Sequence, residues 1–254
     1  MQAGTCVVGG AADSIRWRVF PDLTHSHGGS VLIDKFMHGV VAPTAKAIYR
    51  PRTEGRENVP MTGPVIIASN HLSFVDSVAI PVVMPRKVSF LAKAEYFDGP
   101  GLKGRVSNAF FSGIGAVPVP RGAHSAAKAA LQTALSVLER GDAFGIYPEG
   151  TRSRDGRLYR GRTGVAWLTL AARCPVVPVG IIDTDRVQPI GSNIPRLSPR
   201  ALIRFGEPLD FSRHFGRTDV ARARREITDE IMEAIQKLSG QDYAGVYNET
   251  PAEV

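Results

Sequence analysis

The stretch that decides the fold lies at residues 65–76, where the sequence is VIIASNHLSFVD. It begins with β-branched apolar residues directly after Gly63-Pro64, and this pattern predicts a short buried strand. A segment with apolar residues at helical spacing follows, from Phe74 to Val83. His71 is therefore predicted to lie at a strand-to-helix turn, where unpaired backbone N–H groups collect.

The spacing between His71 and Asp76 places a condition on that turn. On a regular helix, side chains five residues apart point about 140° away from each other. The two can touch only if the helix begins after His71. A carboxylate would then hold one imidazole nitrogen and leave the other free as a base. The alternative is a loop histidine followed by a helix-capping aspartate, and this stretch alone slightly favours that alternative.

Further motifs follow other short apolar strands. Residues 147–153 are YPEGTRS and come after the apolar run 143–146. Residues 116–121 are AVPVPR, residues 176–180 are VVPVG, and Lys93 ends the run LAK. In this order and spacing, N-H-x4-D and P-E-G-T-R resemble the glycerolipid acyltransferase family, the 1-acylglycerol-3-phosphate acyltransferases of phospholipid synthesis. The resemblance covers residues 55–209.

The resemblance implies roles for individual residues. His71 would be the general base and Asp76 would orient it. Cations at strand ends would bind the acceptor phosphate, namely Arg152, Arg121 and Lys93. Three residues of the second motif would position the acceptor, namely Glu149, Gly150 and Thr151, with Glu149 fixing either the turn or an acceptor hydroxyl. The family more often has Phe-hydrophobic-Asp-Arg where this chain has Val119-Pro120-Arg121, so this chain departs from the family pattern at Arg121.

The resemblance also implies a reaction. A fatty acyl group would pass from an acyl thioester, either acyl-CoA or acyl carrier protein, to the free hydroxyl of 1-acylglycerol-3-phosphate, giving phosphatidic acid. No Gly-x-Ser-x-Gly elbow occurs, so we expect direct attack by the acceptor, with no metal or redox cofactor. The alternatives are glycerol-3-phosphate or another lysophospholipid as acceptor and, more remotely, a membrane-surface binding protein without catalysis.

Composition narrows the classes of partner. The 254 residues carry 31 Lys and Arg against 24 Asp and Glu, a net charge of +7, which favours an anionic partner. No motif for reading nucleic acid occurs, so nucleic acid is not expected as a partner and an anionic membrane surface is. A metal hydrolase that used His71 and Asp76 as metal ligands is not favoured, because no third metal ligand occurs at a regular spacing from them. The two cysteines, Cys6 and Cys174, form no C-x-x-C motif.

The chain divides into four predicted parts. Residues 1–30 are polar and are expected to be disordered, and they lack a signal peptide pattern. Residues 31–50 form an amphipathic helical element for membrane contact or, equally, for core packing. Residues 51–240 alternate strands and helices, which predicts an α/β domain with a mostly parallel sheet flanked by helices. Residues 241–254 form a flexible tail. No apolar run is long enough to span a membrane, so we expect peripheral attachment at the cytoplasmic face.

Overall fold

The computed structural model describes residues 49–93, 116–119, 123–192 and 194–249, together with Gly104 and Asn108. Seven strands lie in these residues: β1 Arg52–Glu54, β2 Val65–Ser69, β3 Val88–Lys93, β4 Ala116–Val119, β5 Ala143–Ile146, β6 Val176–Ile182 and β7 Leu202–Phe205. The helices are α1 Asp76–Val83, α2 Ala123–Glu139, α3 Gly164–Ala172, α4 Thr184–Val187 and α5 Val220–Ser239, with 3-10 turns at Arg56–Asn58 and Ser212–His214.

The seven strands form a single sheet in the order β1-β7-β6-β2-β5-β3-β4. Neighbouring strands run parallel throughout, except for the antiparallel pair β6 and β7. The predicted α/β fold, with a mostly parallel sheet flanked by helices, is confirmed. Most of the predicted amphipathic element, residues 31–48, lies outside the described residues, as does the polar stretch 1–30.

The central strand β2 is buried along its whole length. Successive side chains of a strand point to opposite faces, so a strand covered on both sides has no polar face. Ile66 and Ala68 pack into a core with α2, α3 and α5. Val65 and Ile67 pack into a second core, which α1 covers. The uninterrupted apolar run that predicted this strand follows from burial on both faces.

The structure differs from the sequence prediction at β1. No strand pattern occurs in the segment before Gly63-Pro64, yet Arg52–Glu54 pairs in register with β7. All three of its residues are exposed. An exposed three-residue edge strand needs no apolar alternation, because it is held by backbone hydrogen bonds and by the surface ion pair of Glu54 with Arg204, at 2.7 Å, and not by burial of apolar side chains. The sequence pattern therefore contains no signal for it.

The C-terminal segment also differs from its prediction as a flexible tail. The backbone N–H of Leu158 donates to the carbonyl of Asp242 at 2.9 Å, and the N–H of Arg160 donates to that of Val246 at 2.8 Å. Ala244 donates back to Leu158, also at 2.8 Å. Residues 241–249 thus lie along the loop that follows the P-E-G-T-R motif. Residues 250–254 lie outside the described part of the chain.

The packing of β6 against α5 gives a stability prediction. A Cβ atom added at Gly180 would lie 2.6 Å from the backbone of Leu238 and Ser239, which is too close for a real contact. Gly180→Ala should therefore lower the free energy of unfolding by about 1–3 kcal/mol, the usual range for overpacking. Urea denaturation followed by circular dichroism measures it.

Gly164→Ala is the matched control for Gly180→Ala. Its added Cβ would meet Leu131 at an ordinary 3.4 Å, at the first residue of α3, where alanine is the better helix former. We expect it to leave stability unchanged or slightly higher. If both variants lost the same free energy of unfolding, close contact between residue 180 and α5 would not explain the loss in Gly180→Ala.

Candidate active site

Adjacent parallel strands bring the two main motifs together. Ala68 of β2 pairs with Ile146 of β5, so the residues after both strands emerge at the same sheet edge. Carboxyl-terminal edges are where open α/β sheets bind their ligands. The N-H-x4-D motif and the P-E-G-T-R motif are therefore neighbours in space, although about 80 residues separate them in sequence.

The imidazole of His71 contacts the carboxylate of Asp76. Nδ1 of His71 lies 2.8 Å from Oδ2 of Asp76. The helix α1 begins at Asp76 itself, so the chain turns between the two residues, as the spacing required. Because a carboxylate only accepts, the contact assigns the imidazole proton to Nδ1. Within the described residues no hydrogen bond engages Nε2, and the side chain of His71 is 15% exposed. A basic nitrogen is thus open to a substrate.

The carboxylate of Asp76 is fully buried and also fixes the turn. Its Oδ2 accepts the backbone N–H of Leu72 at 2.7 Å and that of Ser73 at 2.8 Å. The N-terminal end of α1 favours a negative charge at this position. In the described part of the chain, no group hydrogen-bonds to the buried Oδ1. The carboxylate of Asp76 thus holds both the imidazole and the backbone of the turn through a single oxygen.

The ring of Tyr147 packs against one face of the His71 imidazole. Its ring stacks on His71 with centroids 3.9 Å apart and planes 9° from parallel. Phe90 of β3 contacts the far side of Tyr147, at 5.4 Å between centroids. The phenol oxygen lies 3.2 Å from Oγ of Ser77. Burial, and secondly the negative charge of Asp76, raise the pKa of Tyr147 well above its usual 10. The phenol is therefore neutral and acts as an apolar platform for the imidazole.

The side chain of Glu149, in the second motif, binds the backbone of the first motif and of the loop that follows the second. Its Oε1 accepts the backbone N–H of His71 at 3.1 Å, and its Oε2 accepts that of Tyr159 at 2.9 Å. The side chain has no solvent exposure. Burial raises the pKa of Glu149 to about 7; the two N–H donors oppose this, and the charges of Asp76 and Asp155 add to it. Of the two roles predicted for Glu149, fixing the turn and binding an acceptor hydroxyl, both carboxylate oxygens serve the first in this structure, because each accepts a backbone N–H of the protein.

Two further contacts fix the strand-to-helix turn from outside. The amide of Asn70 accepts the N–H of Ile181 at 2.7 Å and donates to the Ile181 carbonyl at 2.8 Å, pairing with β6 as a strand would. It also donates to Oε1 of Gln241 at 2.7 Å. The N–H of Ser153 donates to the His71 carbonyl at 2.8 Å. The backbone around His71 is thus held by groups from β6, from the P-E-G-T-R loop and from the C-terminal segment.

The predicted phosphate-binding cations are only partly within the described structure. Arg152 is exposed and directly precedes Ser153, so it lies at the rim of the site. Lys93 ends β3 at the same sheet edge, although its side chain is outside the described part, as is all of Arg121. Gly150 has φ 79°, a conformation that favours glycine, and forms the turn with a half-buried Thr151.

The other arginines of this loop face the protein more than a ligand. Arg157 pairs with Asp155 at 2.7 Å, while Arg160 and Arg162 lie over the ring of Tyr247, 5.2 and 5.8 Å from its centroid. Arg154 is exposed. Among the described residues, no group of three or more His, Cys, Asp or Glu side chains is arranged to hold a metal ion.

Sequence reasoning missed Tyr147, Asn70 and Gln241 as parts of the site. Asn70 and Tyr147 lie inside the quoted motifs, close in sequence to His71 and Glu149, and this closeness was the signal that could have identified them. Gln241 had none, because nothing local links it to a residue 171 positions earlier.

Comparison with known proteins identifies the family of this chain. The family model described as Acyltransferase matches residues 50–182, just over half of the chain. The chain belongs to the acyltransferase family. A crystal structure of the 1-acyl-sn-glycerophosphate acyltransferase PlsC from Thermotoga maritima shares the acyltransferase fold, with a TM-score of 0.57 over 82% of this chain and 79% of that one, at 23% identity.

Individual members of the acyltransferase family resemble this chain at modest identity. The chloroplastic 1-acyl-sn-glycerol-3-phosphate acyltransferase BAT2 of Brassica napus is 30% identical over 57% of this chain. The chain spans only 40% of the length of that relative. The 1-acyl-sn-glycerol-3-phosphate acyltransferase of Bacillus subtilis is 28% identical, over 72% of this chain and 87% of the relative.

The raised pKa of Glu149 gives a pH prediction. The pKa of the Glu149 carboxyl is about 4.5 in the unfolded chain and about 7 in the folded protein. At pH values between these two, the folded state therefore binds more protons than the unfolded state. The resulting stability is fully present below pH 4.5 and is lost as pH rises through about 7. Relative to Glu149→Gln, which cannot titrate, the wild type should thus gain up to about 3 kcal/mol of unfolding free energy as the pH is lowered across this window.

Urea titrations at several pH values measure this difference. Glu207→Gln, which removes an exposed carboxylate, is the control and should track the wild type. A constant difference between wild type and Glu149→Gln from pH 4.5 to 7 would contradict the raised pKa.

Proposed function

We propose that this protein is a 1-acylglycerol-3-phosphate acyltransferase, which moves a fatty acyl group from a thioester to the free hydroxyl of lysophosphatidic acid and forms phosphatidic acid. The observation that carries the proposal is the His71–Asp76 contact, with Nε2 unoccupied, in a chain of the acyltransferase family. The names of its relatives in bacteria and plants support the choice of acceptor.

The reaction needs only a base, an oxyanion-stabilising group and binding sites. Nε2 of His71 takes the proton of the acceptor hydroxyl as its oxygen attacks the thioester carbonyl. Asp76 stabilises the imidazolium that forms. The tetrahedral intermediate then collapses, the ester forms, and the thiolate leaves and recovers the proton from His71. A general base of this kind accelerates a reaction by typically 10²–10⁴-fold. Neither a metal nor a redox cofactor takes part, and acyl-CoA or acyl carrier protein is the donor.

The oxyanion of the intermediate requires donors other than the backbone of residues 71–73. Their N–H groups already donate to Glu149 and Asp76. In the described part of the chain, no group accepts from the N–H of Thr151 or of Arg152. We place the oxyanion donors in this turn, one residue before the contact of Ser153 with the His71 carbonyl.

Membrane attachment belongs to the same proposal. Lysophosphatidic acid is a membrane lipid, so we propose that the protein works as a peripheral protein on an anionic, cytoplasmic membrane face, helped by residues 31–50. The described residues contain no helix that is both long and apolar enough to cross a bilayer.

The experiment that tests the proposal is acyl transfer from a panel of labelled acyl-CoA thioesters and acyl carrier protein. Lysophosphatidic acid should accept the acyl group and monoacylglycerol should not. Preferential transfer to glycerol-3-phosphate would assign the same chemistry to a different acceptor. Vesicle binding without any transfer would favour a non-catalytic membrane protein.

Removing the base should abolish transfer. His71→Ala should reduce kcat by at least about 10²-fold while circular dichroism stays unchanged, since His71 lies at a turn and not in the core. Asp76→Asn should also lose activity, because an amide does not stabilise the imidazolium as a carboxylate does.

Ser73→Ala is the matched control within the same motif. Its hydroxyl donates to the carbonyl of Gln188 at 2.7 Å and not to the imidazole, so transfer should persist. Loss of activity in Ser73→Ala with full activity in His71→Ala would refute direct attack assisted by His71.

Arg152 should matter only for acceptors with a phosphate. A hydrogen bond to a charged group contributes about 1.5–3 kcal/mol, so Arg152→Ala should lower kcat/KM for lysophosphatidic acid roughly tenfold to more than hundredfold. The slow hydrolysis of acyl-CoA by water should not change. Arg152→Lys should restore activity in part, because lysine replaces a planar fork of donors with a point charge.

Arg154→Ala is the control for Arg152→Ala, since Arg154 is an exposed arginine two residues away. It should leave both reactions close to wild type. If Arg152→Ala slowed water and lysophosphatidic acid alike, Arg152 would serve the thioester or the fold instead of the phosphate.

A further inference from the structure

Three aliphatic side chains protrude from the loop that joins α4 to β7. Ile190, Ile194 and Leu197 are 54%, 77% and 63% exposed, and they fall within eight residues of one another. Single exposed apolar side chains are ordinary on protein surfaces, but a group of them on one loop indicates a binding surface. We call Ile190, Ile194 and Leu197 the loop triad.

The loop that carries the triad is held in shape by its own hydrogen bonds. Nε2 of Gln188 donates to the Ser192 carbonyl at 3.1 Å, and Oγ of Ser192 donates to the Ile194 carbonyl at 2.9 Å. The N–H of Arg196 donates to the Val187 carbonyl at 2.7 Å. Val187 and Gln188 are buried. The triad is therefore presented on an anchored loop, which loses little further entropy on binding.

Cations flank the triad. Arg196 and Arg200 are exposed, and no carboxylate in the described part of the chain pairs with either side chain. Arg186, at the start of the loop, pairs with Asp183 at 3.2 Å. Aliphatic side chains next to unpaired arginines match the two layers of an anionic bilayer surface, apolar chains below and negative headgroups above.

The loop triad fits a bilayer better than a protein partner. Protein interfaces are enriched in aromatic residues and typically bury about 800 Å² on each partner. Three aliphatic side chains offer on the order of a few hundred Å² and include no aromatic ring. A lipid surface requires neither a large complementary area nor a specific shape.

The inner side of the same loop leads to the candidate active site. It forms one wall of an apolar groove with a volume of about 230 Å³. The groove is bounded on the loop side by Val187, Pro195 and Pro199, and on the other side by Phe74, Val78 and Val82. Phe74 belongs to the N-H-x4-D motif, and Ser73 beside it is hydrogen-bonded to the loop at Gln188. Pro195 and Arg196 also line this groove and stand between Ile194 and Leu197 in the sequence, so a membrane touching the triad would adjoin a groove that extends to the motif.

We propose that the loop triad inserts into the apolar layer of an anionic membrane, with Arg196 and Arg200 at the headgroups. This inference rests on the proposed function for the lipid nature of the substrate. It adds that the lipid acceptor reaches His71 from the bilayer, past this loop, without passing through water.

Vesicle flotation of the full chain tests membrane contact directly. The probes are phosphatidylcholine vesicles with and without phosphatidylglycerol. The double variant Ile194→Glu/Leu197→Glu should bind at least about tenfold more weakly than wild type, because burying one such side chain is worth about one factor of ten. Arg200→Gln should weaken binding only to vesicles with phosphatidylglycerol, and added salt should erase that difference.

Met61→Glu is the matched control, since Met61 is an equally exposed apolar side chain (61%) outside the loop. It should float like wild type. Equal flotation of wild type and the double variant, or an equal loss in Met61→Glu, would overturn the inference. The inference would also be overturned if the wild type did not float but self-associated through the loop. Light scattering would then show a larger particle for the wild type than for the double variant.

Transfer assays separate this inference from the proposed function. With lysophosphatidic acid in vesicles, the double variant should lose kcat/KM in proportion to its lost binding, whereas a short-chain, water-soluble acceptor should be used as by wild type. If wild type floats through the loop but transfers to no acceptor, the proposed function fails and the membrane surface stands. If transfer proceeds normally while the double variant floats like wild type, the membrane surface fails and the proposed function stands.

Discussion

The buried carboxylate of Asp76 is the group on which the architecture around His71 depends. One of its oxygens accepts three N–H donors: the imidazole and the backbones of Leu72 and Ser73. A charge without solvent is tolerated only where such donors converge and where a helix N-terminus favours it. The turn between β2 and α1 is the shape of chain that brings these donors to one oxygen. The orientation of the base is thus a consequence of satisfying a buried charge.

The rest of the molecule holds that turn in place at a distance from the chemistry. Glu149 holds the backbone of His71, Tyr147 supports the face of its ring, and Asn70 ties the end of β2 to β6. The ring of Phe90 packs on Tyr147. It also occupies the space beside Gly145 of β5, where an added Cβ atom would lie only 2.1 Å from Cζ of Phe90. A small residue in β5 therefore supports the imidazole through two aromatic rings.

Local patterns could predict the strand-turn-helix unit, because it follows from hydrophobic periodicity. The His–Asp pair needed the resemblance to a family as well, since the five-residue spacing alone fits a helix-capping aspartate slightly better. The alternation of strands and helices was enough for the α/β class. A turn-fixing role was one of two predicted for Glu149, but its donors, the N–H groups of His71 and Tyr159, were not predictable, since a carboxylate in a loop gives no sign of which donors it will meet after folding. Neither was the pairing of residues 241–249 with the loop at 158–160, because it satisfies backbone groups and leaves no side-chain pattern. The assigned roles of Arg121 and Lys93 stay predictions.

The contact between Asn70 and Gln241 has a consequence for synthesis of the chain. These residues lie 171 positions apart, and a ribosome adding about 5–20 residues per second needs on the order of ten seconds or more to make the segment between them. For the first part of that time β2 has emerged without β5 and β6, its flanking neighbours in the sheet, which are made only when synthesis reaches Ala143–Ile146 and Val176–Ile182. An apolar strand with two open edges is the kind of segment that chaperones bind. The N-terminal half of the nascent chain therefore depends on protection until its last partners appear.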